Sequence, residues 1–303
     1  MKPFSGIFTP FITPFAADQT LDEAALRHNV ARWMRGPLTG LVALGSNGEA
    51  PLLDDHEADR VVEIVREGMS SDRPLIVGTG RESTRATIAA TRRAASLGAD
   101  CALVRTPSFF KAQMTSDIFV RHYTEVADAA PIPVLLYNVT MFTGVNLAPD
   151  AVARLSEHPN IVGLKESGSD IAQIAEYVAR VPPDFTILAG SAATLFHAFC
   201  AGCDGAVLAL ASLVPEACFE LQALVSAGRV DEARALQRRV TPLARTIGTV
   251  HGIGGLKAAY DLAGYVGGAP RPPLRPAAPA IVELLREQLG ALGVLASAGA
   301  AGS

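Results

Sequence analysis

Eight short runs rich in valine, isoleucine and leucine recur along this chain, with room for a helix in each gap before the last of them. That alternation constrains the fold more than any other feature of the sequence. The runs are Gly6 to Phe11, Gly40 to Leu44, Leu75 to Gly78, Cys101 to Val104, Val134 to Tyr137, Ile161 to Leu164, Phe185 to Ala189 and Gly205 to Leu208. Apart from Thr9 and Thr186 they are apolar instead of alternating with polar residues, which suits parallel strands covered on both faces. Several intervening stretches open on helix caps. Asp54 with Glu57 forms a capping-box pair, Ser83 and Ser116 can act as N-caps, and Pro149-Asp150 suits a first helical turn. Eight such units match the count and size of a (β/α)8 barrel. The expectation is an α/β protein, a (β/α)8 TIM barrel over residues 1–226.

Beyond Ala227 the apolar strands stop and helical periodicity takes over, so residues 227–303 are expected to form a C-terminal helical extension. Its helices should span Val230 to Thr246, Gly255 to Leu262 and Ala280 to Leu289, the last burying a face of Ile281, Leu284, Leu285 and Leu289. Pro270 to Pro276 reads as an extended connector, and the alanine- and glycine-rich end from Gly290 as frayed. Hydrophobic residues make up 49% of the chain and charged residues 18%, enough for a large core. A net charge of -4 lacks the basic excess of a nucleic-acid binder, which leaves a small molecule as the expected partner. No stretch reaches the roughly 18 apolar residues that span a bilayer, and the N-terminus has no signal-peptide pattern. The expected location is the cytoplasm. Cys101, Cys200, Cys203 and Cys218 should be reduced, with Cys200-Ala201-Gly202-Cys203 read as small residues at a helix end.

A barrel of this kind carries its chemistry at the carboxyl ends of its strands, so polar residues just after each run become candidates. Lys165 closes the sixth run. Only four of the 26 basic residues are lysines, so each lysine is worth explaining. Burial disfavours the charged form of an amine, and a neutral amine can attack a carbonyl to form a Schiff base; guanidinium cannot. A lysine snorkelling from the strand end to pair with Glu166 would read the same way. Tyr137 ends the fifth run with a phenol at the same rim, either to pass a proton or to plug the barrel mouth. After the second run comes Gly45-Ser46-Asn47-Gly48-Glu49. The two glycines can turn the Ser46 and Asn47 amides inward as a concavity for a carboxylate, or simply form a tight turn before the Asp54 cap. Ser167 follows Lys165, and Gly190-Ser191 follows the seventh run.

Competing motifs fail. Gly78-Thr79-Gly80 is followed by Ser83 where a dinucleotide fingerprint needs its third glycine. The six histidines form neither H-x-H nor H-E-x-x-H, and no G-x-x-x-x-G-K-[ST] loop exists. No metal and no cofactor are expected.

In this order, GSNGE at 45–49, LLYN at 135–138, GLKES at 163–167 and LAGSA at 188–192 resemble the dihydrodipicolinate synthase and N-acetylneuraminate lyase superfamily of pyruvate-dependent class I aldolases. Within it the chain looks most like 4-hydroxy-2-oxoglutarate aldolase, through REST at 81–84, HPNIVG at 158–163, GIGGLK at 252–257 and GYVGG at 264–268. The resemblance implies a lyase with Lys165 as the Schiff-base lysine, Tyr137 as the proton-transfer phenol and Ser46 as the hydroxyl beside it. Ser46 and Asn47 would hold the 2-oxo acid carboxylate, with Ser167, Gly190 and Ser191 lining the pocket. It also implies a homotetramer built as a pair of dimers, with Phe109 and Phe110 at the dimer contact. Two departures stand out. Many members carry a tyrosine in the loop after the fourth strand, where this chain has Phe109 and Phe110, and phenylalanine cannot relay a proton. The arginine with which dihydrodipicolinate synthases bind aspartate semialdehyde is replaced by Phe142. The resemblance therefore points to cleavage of a 4-hydroxy-2-oxo acid, with aspartate semialdehyde condensation, a related hydratase or deaminase, and a non-catalytic 2-oxo acid binder as alternatives.

Overall fold

A computed structural model describes residues 2–295 and closes eight parallel strands into a barrel, each strand paired to its neighbours in chain order and β8 returning to β1. The strands are β1 Gly6–Pro10, β2 Gly40–Ala43, β3 Leu75–Gly78, β4 Cys101–Arg105, β5 Val134–Asn138, β6 Ile161–Glu166, β7 Thr186–Ala189 and β8 Gly205–Val207. Around them run α1 Glu23–Trp33, α2 Asp55–Gly68, α3 Thr84–Ser96, α4 Ser116–Ala129, a single turn α5 Thr140–Thr143, α6 Pro149–Leu155, α7 Ile171–Arg180, α8 Leu195–Cys200 and α9 Pro215–Ser226. After them come α10 Val230–Arg245, α11 Gly252–Leu262 and α12 Pro279–Ala291. The expected TIM barrel with added C-terminal helices is the fold observed.

Strand alternation divides the core into two layers. Phe8, Val42, Ile76, Leu103, Leu135 and Leu188 fill the barrel interior, while Ile7, Leu41, Val77, Ala102 and Leu136 face the surrounding helices. Three strands outrun the apolar stretches that announce them. β4 continues into Arg105, β5 into Asn138, and β6 into Lys165 and Glu166, because ladder hydrogen bonds do not depend on side-chain polarity. Those extra residues lie at the carboxyl rim.

Among the described residues, side-chain caps open five of the twelve helices, α1, α2, α3, α4 and α7. Asp54 and Glu57 exchange both bonds of the capping box, and the Ser83 hydroxyl accepts from Ala86 N at 3.2 Å. Ser116 is not a cap. Thr115 takes that role, its hydroxyl accepting from Ile118 N, and Ser116 is the first helical residue. In the extension, α11 begins at Gly252, ahead of the expected Gly255, and α10 passes into one π-helical turn, Thr246–Val250, in place of ending at Thr246. On α12, Leu285 and Leu289 are fully buried and Ile281 partly so, but Leu284 is 37% exposed. It sits one residue, about 100°, off the centre of the buried stripe. Residues 264–278 form no helix or strand, as the proline-rich connector suggested. Of the segment expected to fray from Gly290, Gly290 and Ala291 belong to α12, and 296–303 lie outside the described residues. All four cysteines are free, and burial pushes the Cys203 and Cys218 thiols up to about 12. Among the described residues no helix is long and apolar enough to cross a membrane.

Candidate active site

The register of β5 on β6 sets Tyr137 beside Lys165 and Asn138 beside Glu166. Alternation then sends the first pair into the barrel mouth and the second into the shell of helices. The Lys165 Nζ lies 4.3 Å from the centroid of the Tyr137 ring, and the Tyr137 hydroxyl lies 3.3 Å from Ser46 Oγ, within hydrogen-bonding range with either as donor. Lys165 is only 3% exposed, so it does not snorkel into solvent. Nor does it pair with Glu166. That carboxylate accepts from Asn138 Nδ2 at 2.7 Å and from the Gly168 amide, and burial raises its pKa above the usual carboxylate range. The Tyr137 ring is nearly covered, and its hydroxyl faces the cavity beside Ser46, so it is a plug and a polar group at once.

The loop after β2 is shaped differently from the glycine-based expectation. Neither Gly45 nor Gly48 takes a positive φ; Leu44 at 54° and Glu49 at 55° do, and they bracket a 3-10 turn at Ser46–Gly48. Left-handed backbone at non-glycine residues is strained and has to be held by its surroundings. The Thr13 hydroxyl donates to Gly48 O at 2.7 Å, and Asn47 Nδ2 donates to Pro10 O at 3.1 Å. Ser46 and Asn47 open the turn, so their amides are ones the turn itself leaves unpaired.

Glu49, at the far end of that loop, makes a wholly buried ion pair. Its Oε1 is 2.7 Å from Lys257 Nζ on α11, with side-chain exposures of 0% and 1%. Lys257 Nζ also donates to Ala269 O at 2.9 Å and stands 4.4 Å from the Phe15 ring centroid. Burial lowers the Lys257 pKa, with the Glu49 carboxylate opposing the shift. The other Glu49 oxygen accepts from the Arg271 amide at 2.9 Å.

Across the mouth, Gly190 and Ser167 approach so closely that a methyl group on Gly190 would stand 2.1 Å from Ser167 Oγ. One cavity of about 100 Å3 brings together all eight residues singled out from sequence: Ser46, Asn47, Tyr137, Phe142, Lys165, Ser167, Gly190 and Ser191. Phe142 stands on α5 at the rim, 61% exposed. Sequence reasoning missed the wall formed by Ala244, Ile247, Gly248 and Thr249, at the end of α10 and in the π turn. No local signal marks those four. Lys257 and Glu49 were visible as members of GIGGLK and GSNGE, but nothing in the spacing pairs them. Phe109 and Phe110 do not line the cavity. They are 78% and 65% exposed, on a loop whose Ser108 and Phe109 amides donate to Glu82. Among the described residues no cluster of histidine, cysteine, aspartate or glutamate has the geometry of a metal site.

Residues 3–291 match the dihydrodipicolinate synthetase family. The chain belongs to that family. It is accordingly a lyase of the Schiff-base aldolase type. It is 36% identical to a 4-hydroxy-tetrahydrodipicolinate synthase of Methanothrix thermoacetophila over 274 residues, 90% of this chain and 92% of that one. To a probable mitochondrial 4-hydroxy-2-oxoglutarate aldolase of Emericella nidulans it is 35% identical over 237 residues, 77% of each chain. Among solved structures, a chloride-inhibited dihydrodipicolinate synthase of Acinetobacter baumannii complexed with pyruvate superposes with a TM-score of 0.91 at 30% identity, covering 97% of this chain and 100% of that one.

Proposed function

We propose that this enzyme cleaves a 4-hydroxy-2-oxo acid, foremost 4-hydroxy-2-oxoglutarate, to pyruvate and an aldehyde such as glyoxylate. The observation that carries the reading is a buried amine stacked 4.3 Å over a phenol that in turn meets a serine hydroxyl, all in one cavity. Lys165 attacks the 2-oxo carbon and water leaves, giving an iminium. Tyr137 gives its hydroxyl proton to the departing water as the iminium forms; the phenolate left behind takes the C4 hydroxyl proton, the C3–C4 electrons flow to the iminium, and the aldehyde departs. Protonation of the resulting enamine at C3 and hydrolysis of the imine release pyruvate and restore the amine. Ser46 steadies the phenol oxygen, and the Ser46 and Asn47 amides hold the carboxylate. Ser167, Gly190 and Ser191 shape the wall against the three-carbon unit, and Phe142 faces the aldehyde end. The catalytic unit in this proposal is the barrel, 1–226, with the extension, 227–303, supplying one cavity wall. No cofactor or metal enters any step.

The second reading, condensation of pyruvate with aspartate semialdehyde, is favoured by the name of the Methanothrix relative and shares the first half of the chemistry. Against it stands Phe142, an apolar side chain where a cation would be needed for the second substrate. Self-association is a further part of the proposal: the exposed Phe109–Phe110 pair, with ring centroids 5.1 Å apart, suits a contact with a second copy in a tetramer, which light scattering would test.

Borohydride trapping tests the lysine directly. With pyruvate, reduction should place a stable three-carbon adduct on the peptide carrying Lys165, and Lys165→Arg should fold yet show neither adduct nor turnover. Adduct on Lys111 or Lys257, with Lys165→Arg active, would overturn the mechanism. Release of pyruvate from a panel of 4-hydroxy-2-oxo acids, set against a reductase-coupled condensation assay, separates the two readings.

A further inference from the structure

We infer that Lys257 is a positioning residue for substrate binding: through its buried pair with Glu49 it fixes the loop whose Ser46 and Asn47 amides receive the substrate carboxylate. The inference rests on the reading of that loop given above. The loop has two strained ends, Leu44 and Glu49, both left-handed without being glycine. Such a backbone relaxes toward ordinary φ unless the side chain is pinned. At Glu49 both carboxylate oxygens are engaged, Oε1 by the charge of Lys257 and Oε2 by a backbone hydrogen bond. Its carboxylate has no access to water, and its partners are Lys257 Nζ at 2.7 Å and the Arg271 amide at 2.9 Å. The next residue inward, Gly48, is held by the Thr13 hydroxyl, and Asn47 by its bond to Pro10 O.

Lys257 is equally committed. It is fully buried, its Nζ donates to Ala269 O, and the Phe15 ring lies 4.4 Å away. It does not line the cavity, so it cannot touch substrate. Every other ion pair of the described residues leaves at least one side chain more than a tenth exposed; this one is sealed. A sealed pair is a costly way to gain stability, since desolvation offsets much of the attraction, and it is better understood as fixing one geometry. Here the geometry fixed is the loop beside Lys165 and Tyr137. Because Lys257 belongs to α11, the pair also locks the C-terminal helices to the barrel rim, next to the π turn that walls the cavity.

The test compares the pyruvate concentration that half-saturates borohydride trapping, and the KM and kcat for the 4-hydroxy-2-oxo acid, in four full-length variants. Glu49→Gln and Lys257→Met should raise the half-saturating concentration and KM at least tenfold, while the adduct at saturation still forms on Lys165 and kcat falls less than threefold. Lys257→Met/Glu49→Gln removes both charges, so its melting temperature should recover toward the parent while KM stays raised. Asn160→Ala loses the bonds its Nδ2 donates to Ala127, Ala130 and Ile132 O just before β6, at the end of the barrel opposite the loop; it should lower the melting temperature and leave KM unchanged. If KM follows melting temperature across the set, or if the soluble variants bind pyruvate within twofold of the parent, Lys257 is only structural and the inference falls. Should the single variants fail to fold, the double variant decides alone. Absence of any adduct on the parent enzyme overturns the functional reading and this inference together, whereas a parent adduct with unshifted variants overturns only this one.

Discussion

Gly190→Ala is the most informative single methyl group that can be added to this protein. The new Cβ would lie 2.1 Å from Ser167 Oγ and 2.9 Å from both the Cα and the Cβ of Ser167. The hydroxyl can rotate away, but the two carbons cannot move without the backbone. That backbone is tied on both sides: Ser167 N donates to Asn138 O at 3.0 Å, and Gly190 N donates to Glu166 O at 2.6 Å. Overpacking at such a site costs about 1–3 kcal/mol. Because both residues line the cavity, much of the strain should be relieved by pushing Ser167 into the space a three-carbon acid needs. As lost affinity, about 1–3 kcal/mol corresponds to about 5- to 150-fold. The assay is pyruvate-dependent borohydride trapping, with mass spectrometry to locate the adduct and a thermal melt to follow stability. Half-saturation should shift by that factor while the peptide carrying Lys165 is still labelled at saturating pyruvate. Half-saturation within twofold of the parent, with an unchanged melt, would show that the wall yields more easily than these distances allow.

Tyr137→Phe keeps the ring beneath Lys165 and removes only the hydroxyl near Ser46, so adduct formation should persist while turnover falls by about 10²–10⁴; parent-like turnover would remove the phenol from the mechanism. His122, buried between α3 and α4, bonds Thr84 Oγ1 at 2.9 Å through Nδ1, and burial lowers its pKa from 6.5 to about 4, with Glu125 and Glu82 opposing the shift. Its folded-state pKa is depressed, so the stability it protects is present above 6.5 and is lost as pH falls toward 4, up to about 3 kcal/mol in all. Denaturant unfolding at a series of pH values should show a flatter acid limb in His122→Phe than in the parent; identical slopes would place the acid sensitivity elsewhere.

The barrel was legible because each βα unit carries its own evidence: an apolar run long enough for one strand, then a cap such as Asp54 or Ser83 to start the helix. The apolar content of one strand and the capping of one helix are local, so a linear reading reaches them. The candidate residues were legible for a related reason. In a parallel barrel the polar residue that ends an apolar run stands at the carboxyl rim, so position along the chain stands in for position in space, and Ser46, Tyr137, Lys165 and Gly190 could be placed together before any distance was known. What the loop does with its backbone was not legible. The glycines of GSNGE invite positive φ, yet it is Leu44 and Glu49 that adopt it. The conformation is decided by what holds Glu49 from outside, not by which residue bends most easily.

The amino-acid sequence by itself determined the strand count, the order of the units and the chemistry offered at each strand end. Only the tertiary structure decided that the C-terminal helices close the cavity through Ile247, Gly248 and Thr249, and that Lys257 reaches back to Glu49 across most of the chain. Burial of a charge, like the packing of a wall, is a property of everything that surrounds a residue. Those surroundings come from segments far apart in sequence, and they meet only when the barrel has closed and the last helices have docked on its rim.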